Sequence, residues 1–108
     1  LRAMKEITPQ ELKAMKEGNE TFQLIDVREA YEAEICSIGG TLIPMGEVIS
    51  RLAEVRKDVP VVIHCRSGSR SSAVIQALTD RYGYTNLMNL KGGILGYGSQ
   101  VDQTLRCE

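Results

Sequence analysis

Pro60-Val61-Val62-Ile63-His64-Cys65-Arg66-Ser67-Gly68-Ser69-Arg70-Ser71-Ser72 is the stretch whose reading decides the fold. Its first four residues are a short apolar run of the kind that fills a strand buried on both faces. The segment from Ala73 to Tyr82 that follows has apolar residues at helical spacing, with Ala73, Val74, Ala77, Leu78 and Tyr82 as the expected inner stripe and Gly83 as its end. Cys65 therefore falls where a buried strand turns into a helix. A helix N-terminus has unpaired N–H groups and carries about half a positive charge, and Arg66 and Arg70 add two cations beside it. Such surroundings favour a thiolate and the anion it handles.

Upstream, Thr8-Pro9-Gln10-Glu11 has the form of a helix start, with Thr8 as N-cap, Pro9 at the first helical position and Glu11 completing a capping box. This helix is expected to run to about Glu17 and stop at Gly18, with Leu12 and Met15 facing inward. Phe22 to Val27 reads as a second buried strand, followed by a short acidic helix from Glu29 to Ile35. Glu29, Glu32 and Glu34 are read as its solvated face. Asp26 and Arg28 leave the strand at the end where open α/β sheets bind ligands. They are read either as neighbours of the site or, preferably, as a hydrogen-bonded pair in structural support.

Gly39-Gly40 turns into a short strand, Thr41 to Ile43, which Pro44 ends. A helix over 46–55 is expected next, with Val48, Ile49, Leu52 and Val55 on one face. Beyond the central loop, Asn86 to Leu90 reads as the last strand. Lys91-Gly92-Gly93 then turns into a short helix ending around Val101, before a tail without clear pattern. Strands alternating with helices predict an α/β fold with a mostly parallel sheet covered on both faces.

The chain has 43% hydrophobic and 25% charged residues over 108 positions, which is the composition of one ordinary domain. Its 13 basic and 14 acidic residues are well mixed and leave a net charge of -1, so neither nucleic acid nor an anionic membrane is an expected partner. No apolar stretch reaches the roughly 20 residues of a membrane span, and no signal-peptide core is visible, so the cytoplasm is the expected location. Cys36, Cys65 and Cys107 are odd in number and widely spaced, which fits neither a disulfide framework nor a zinc knuckle. Cys36 is read as an ordinary buried thiol and Cys107 as an exposed, oxidisable one. With a single histidine, no metal site and no cofactor are expected. The chain opens on Leu1, which suggests a processed product or a domain excised from a larger protein.

In the loop, the spacing from Cys65 to Arg70 is C-x4-R, and the small residues Ser67, Gly68 and Ser69 let the backbone curl its N–H groups toward the sulfur. Cysteine phosphatases place five residues in that interval, which gives a wider cradle. The shorter loop suits the terminal sulfur of a persulfide better than a whole phosphoryl group. Cys65-Arg66-Ser67-Gly68-Ser69-Arg70, with Leu24-Ile25-Asp26-Val27-Arg28-Glu29 before it and Leu90-Lys91-Gly92-Gly93-Ile94 after it, resembles a rhodanese domain over nearly the whole chain.

That resemblance implies a central five-stranded parallel sheet flanked by helices on both faces, with Cys65 carrying sulfur as a persulfide and residues 66 to 70 cradling it. Many relatives have Gly-His-Ile where this chain has Cys36-Ser37-Ile38. Glu34-Ile35-Cys36-Ser37-Ile38, Leu42-Ile43-Pro44 and Gly92 to Tyr97 are more similar to the domains fused behind adenylyltransferases of molybdopterin and thiamine biosynthesis, with Tyr97 where a Trp is usual.

The resemblance thus implies a sulfurtransferase whose donor is thiosulfate or a persulfide protein. Its implied acceptor is similar to a ubiquitin-like sulfur carrier that an adenylyltransferase domain activates. In this reading Cys65 is the nucleophile and no general base is needed, while His64 is a structural residue. Arg66 faces the mouth and recruits anions; Arg70 is read equally as a substrate ligand or as a clasp that closes the loop. Two other readings stand beside it. One is a cysteine-dependent phosphatase or arsenate reductase of the same fold, and the other is a docking module whose cysteine is idle.

Overall fold

The computed structural model describes residues 4–107. Five strands, β1 (Glu6–Ile7), β2 (Gln23–Asp26), β3 (Thr41–Leu42), β4 (Val61–His64) and β5 (Leu87–Leu90), form one sheet in the order β1-β5-β4-β2-β3, with every pairing parallel. The apolar run of the central stretch is thus the middle strand. Its register sets Asp26 beside His64 and Ile63 beside Asn89, so three loops leave the sheet side by side at one edge.

Successive residues of a strand point to opposite faces, and both faces of β4 are buried. Val61, Ile63 and Cys65 enter one core with Val74, Ile75 and Leu78 of the helix after the central loop, while Val62 enters the other with Leu12 and Ile94. Each such side chain contributes roughly 1.5–3 kcal/mol by leaving water. The helices are α1 (Pro9–Glu17), α2 (Ala30–Ile35), α3 (Ser69–Tyr82) and α4 (Gly93–Gln100). The Thr8 capping box is present in both directions: the Glu11 N–H donates to Thr8 Oγ1 at 3.1 Å, and the Thr8 N–H donates to Glu11 Oε1 at 2.9 Å. Among the described residues no helix is long and apolar enough to cross a membrane.

Four elements differ from the sequence reading. β1 is only two residues long, too short for any periodicity to register. The helix expected over 46–55 is instead two 3-10 turns, Met45–Glu47 and Leu52–Glu54. Between them Arg51 leaves the helical region at φ -114°, ψ 27° and forms ion pairs with Glu47 and Glu54; Val48 and Val55 are buried but Ile49 is 45% exposed. α3 starts at Ser69, capped by Gly68 at φ 112°, and its inner stripe takes Ile75 in place of the exposed Ala73.

The fourth difference is covalent. Cys36 and Cys107 form a disulfide across 71 residues, with Cα atoms 5.3 Å apart, so neither is the free thiol expected. Cys36 follows α2 and is buried. The tail beyond α4 lays Val101, Leu105 and Cys107 against the same apolar cluster, and that packing, which spacing cannot reveal, brings the two sulfurs together.

The Gly92-Gly93 turn sets the position of the central loop. Gly93 lies at φ 61°, and a Cβ built there would stand 2.3 Å from the Arg66 carbonyl oxygen. Gly39 has a similar φ of 89° but nothing within 4 Å of such a Cβ. Gly39→Ala is therefore expected to cost only the left-handed backbone penalty of about 1–2 kcal/mol, and Gly93→Ala that penalty plus roughly 1–3 kcal/mol of overpacking. Urea denaturation of the two variants measures the difference; equal losses would mean that the turn does not press on the loop.

Candidate active site

β4 ends at His64 and α3 begins at Ser69, so residues 65–68 must reverse the backbone within one short turn. Gly68, in its left-handed conformation, makes that possible without strain. The turn folds around the Cys65 sulfur. The Gly68 N–H donates to Sγ at 3.1 Å and the Ser71 N–H at 3.4 Å, while the Ser71 hydroxyl lies 3.4 Å away. Cys65 itself is 1% exposed. Burial pushes its thiol pKa up, but hydrogen bonds from the Ser71 hydroxyl and from the Ser71, Gly68 and Ser67 N–H groups outweigh it, and the net shift is downward. The loop is built to hold a sulfur anion.

The carbonyls of the same turn point away from the sulfur and are met from outside. Cys65 O accepts from the Ile94 N–H at 3.0 Å, and Arg66 O from the Leu95 N–H at 3.2 Å, both in the first turn of α4. Gly68 O accepts from the Ser72 N–H at 3.0 Å and from Asn89 Nδ2 at 3.2 Å. The Asn89 Oδ1 in turn accepts from the Ser71 hydroxyl at 2.6 Å. Ser71 and Asn89 were not among the residues picked from the sequence. The available signal was Asn89 itself, a polar side chain inside the apolar strand Leu87–Leu90 and 5% exposed.

Arg70 is turned aside. Its Nη1 and Nη2 donate to the two carboxylate oxygens of Glu32 at 2.6 and 2.9 Å, a fork-to-fork pair between α3 and α2. The Arg70 hydrogen bond holds the Glu32 pKa down to about 2, and Arg70 is correspondingly raised. Glu32 is thus no solvated helix residue: its side chain is 15% exposed. Both Nη atoms of Arg70 are thus taken up by Glu32. Arg66 is exposed and lines a cavity of about 240 Å³ with Arg28, Tyr31, Glu32, Ile35 and the Cys36–Cys107 pair. Ser67 supplies an N–H to the sulfur, and the exposed Ser69 opens α3.

Asp26 and Arg28 form the buried pair that the support reading describes. Arg28 Nη2 lies 2.7 Å from Asp26 Oδ2, with the two side chains 2% and 3% exposed. The guanidinium also donates to the carbonyls of Cys36 at 2.7 Å and Glu32 at 3.3 Å, which ties the end of β2 to the end of α2. Removing one partner of such a pair costs about 3–5 kcal/mol. His64 is fully buried, with Nδ1 3.4 Å from the Cys65 carbonyl oxygen and Nε2 4.0 Å from Asp26 Oδ2. Burial pushes its pKa down despite Asp26, so the ring is neutral near pH 7.

Residues 8–100 match the family model described as a rhodanese-like domain. A sulfurtransferase of Allochromatium vinosum is 36% identical over 93 residues, covering 85% of this chain and 86% of that protein. A probable adenylyltransferase/sulfurtransferase, MoeZ of Mycobacterium tuberculosis, is 34% identical over 98 residues and covers 88% of this chain, which spans only 25% of that protein's length. In such fused relatives the matching domain is C-terminal. Among solved structures, a rhodanese-like domain protein from Staphylococcus aureus superposes with a TM-score of 0.80 at 29% identity, covering 97% of this chain and 99% of that one. Matched by that family model over residues 8–100 and 36% identical to a relative of which it covers 86%, the chain belongs to the rhodanese-like domain family.

Proposed function

We propose that this chain is a sulfurtransferase that moves a sulfane sulfur through a persulfide on Cys65. The observation that carries the reading is the convergence of the Ser67, Gly68 and Ser71 N–H groups on one buried sulfur whose pKa is lowered against its burial. The Cys65 thiolate attacks the outer sulfur of a donor such as thiosulfate. The donor's S–S bond breaks, sulfite leaves with the electron pair, and Cys65 holds a persulfide. A nucleophilic acceptor then takes the terminal sulfur, and Cys65 departs as the thiolate that the loop already stabilises.

The loop N–H groups serve both transfers, and a well-aimed donor of this kind is worth about 2.7–4 kcal/mol. Arg66, beside the cavity, draws the anionic donor in, and no general base is required of the neutral His64. The family resemblance supports a persulfide protein as an alternative donor, and a ubiquitin-like sulfur carrier activated by an adenylyltransferase domain as acceptor, in the cytoplasm. We read the chain as one domain working within that system.

The geometry disfavours the phosphatase reading. A phosphoryl group needs cationic donors on its equatorial oxygens, and Arg70 is committed through both Nη atoms to Glu32. The idle-cysteine reading is disfavoured by the lowered thiol pKa.

Thiosulfate should raise the mass of the protein by one sulfur atom, and Cys65→Ser should abolish the increase while Cys36→Ser retains it. Equal loading of the Cys65→Ser protein would sink the proposal. Because the folded pKa of Cys65 is depressed, its alkylation rate should fall only as pH drops through a midpoint below the ordinary thiol value of about 8.5. Glu32 stays ionised down to about pH 2 and should add no inflection on the neutral side. Ser71→Ala removes the hydroxyl beside the sulfur, so the alkylation midpoint should rise, with slower loading near pH 7 that recovers at higher pH. An unmoved midpoint would mean that the hydroxyl does not support the thiolate.

A further inference from the structure

We propose that the Cys36–Cys107 pair is a thiol-exchange site whose redox state ties or releases a strap over the cavity beside Arg66. The proposal takes from the sulfurtransferase reading only that Arg66, next in sequence to Cys65, recruits the sulfur donor at this cavity. The two cysteines form part of the wall of that cavity, with Arg66 on the same lining. Among the described residues, the hydrogen bonds that residues 101–107 make are local: the N–H groups of Val101 and Asp102 donate to Tyr97 O, Thr104 bonds Asp102, and Arg106 bonds the carbonyls of Gln103 and Leu105. The tail's other holds on the body are apolar packing by partly buried Val101, Leu105 and Cys107 and the charge attraction of Asp102 to Lys16. Cutting the disulfide removes the one covalent tie between this tail and α2.

The two sulfurs are unequal. Cys107 is half-buried, whereas Cys36 is 8% exposed and has Arg28 Nη1 3.6 Å from its Sγ. An incoming thiolate therefore attacks Cys107. The Cys36–Cys107 bond breaks, its electron pair leaves on Cys36 as a thiolate held by the Arg28 guanidinium, and a mixed disulfide forms on Cys107. A second external thiolate attacks the outer sulfur of that mixed disulfide and releases Cys107 as a thiolate. Two external thiols have then become one disulfide, the protein pair has gained two electrons, and the protons lost by the thiols are available to the two cysteines. An external low-molecular-weight disulfide runs the sequence backward. Disulfides of this kind in a reducing compartment are commonly transient and redox-sensing.

The cavity volume says what the strap does. With the pair tied, about 240 Å³ is below the roughly 300–1,000 Å³ of clefts that take drug-sized ligands, and it suits a small anion. Released, the cavity loses the wall formed by Cys107 and opens to bulkier, peptide-sized sulfur partners.

The test uses the full chain and reads alkylation of Cys65 and of the pair, not sulfur transfer, so a failure of the sulfurtransferase reading leaves it interpretable. In air-oxidised protein denatured without reductant, only Cys65 should take iodoacetamide; labelling of Cys36 and Cys107 there would overturn the proposal. A glutathione redox buffer should convert the pair from no labelled cysteines to two in a single transition on the Cys65→Ser background, and a pair that stays closed throughout would overturn its role as an exchange site. Alkylation of Cys65 is then compared between oxidised protein and a C36S/C107S double variant, using iodoacetate as the small anion and fluorescein-iodoacetamide as the bulky one. The iodoacetate rate should agree within about twofold, and the bulky reagent should react at least about fivefold faster with the variant. An unchanged ratio of the two rates would refute the strap. Should the double variant fail to fold, phosphine-reduced wild type read by hydrogen exchange replaces it: the amides of residues 102–107 should lose protection on reduction, and retained protection would equally refute the strap.

Discussion

A loop that turns its N–H groups onto one atom must turn its carbonyls outward, and every outward carbonyl that is not solvated needs a donor from elsewhere. Much of this structure answers to that constraint. The Gly68 and Ser71 N–H groups face the Cys65 sulfur, and the carbonyls of Cys65 and Arg66 are met by the first N–H groups of α4. Those N–H groups are orphans of a helix start, so one element's unpaired donors satisfy another's unpaired acceptors. The close approach this demands is why Gly93, with no side chain and a positive φ, sits against Arg66. Gly68 O is met in the same way by the Ser72 N–H and by Asn89, which joins β5 to the loop.

A second layer keeps the loop's entry and exit in place. Asp26 and Arg28 fasten the end of β2 to the end of α2, beside His64 at the end of β4. Glu32 of α2 takes the Arg70 fork from α3. The two arginines of the central motif thus lie apart in their contacts: Arg70 joins α3 to α2 through Glu32, and Arg66 stands at the cavity. The charge near the sulfur is supplied chiefly by fixed N–H dipoles, which need no rearrangement to meet a negative charge on it.

How legible this was in the sequence varied with the range of the interaction. The Thr8 capping box, the buried strand into Cys65 and the glycine turn at 92–93 are local patterns, and the structure reproduces them. The 46–55 segment has helical spacing but is broken at Arg51, whose backbone leaves the helical region at φ -114°, ψ 27°. Glu32 was legible only as an acidic helix residue, because its partner is 38 positions away. Asn89 and the Cys36–Cys107 pair depend on how β5 and the tail lie against the rest, and that is decided by packing.

The central claim is that loop N–H groups bear the charge of the sulfur throughout its chemistry. Amide proton resonances of Gly68 and Ser71, followed by NMR as Cys65 is titrated and then loaded from thiosulfate, test it most directly. The account predicts that both move in step with thiolate formation, as followed by ultraviolet absorbance, and stay displaced when the persulfide forms. Resonances that ignore both events, while amides elsewhere in the loop respond, would contradict it.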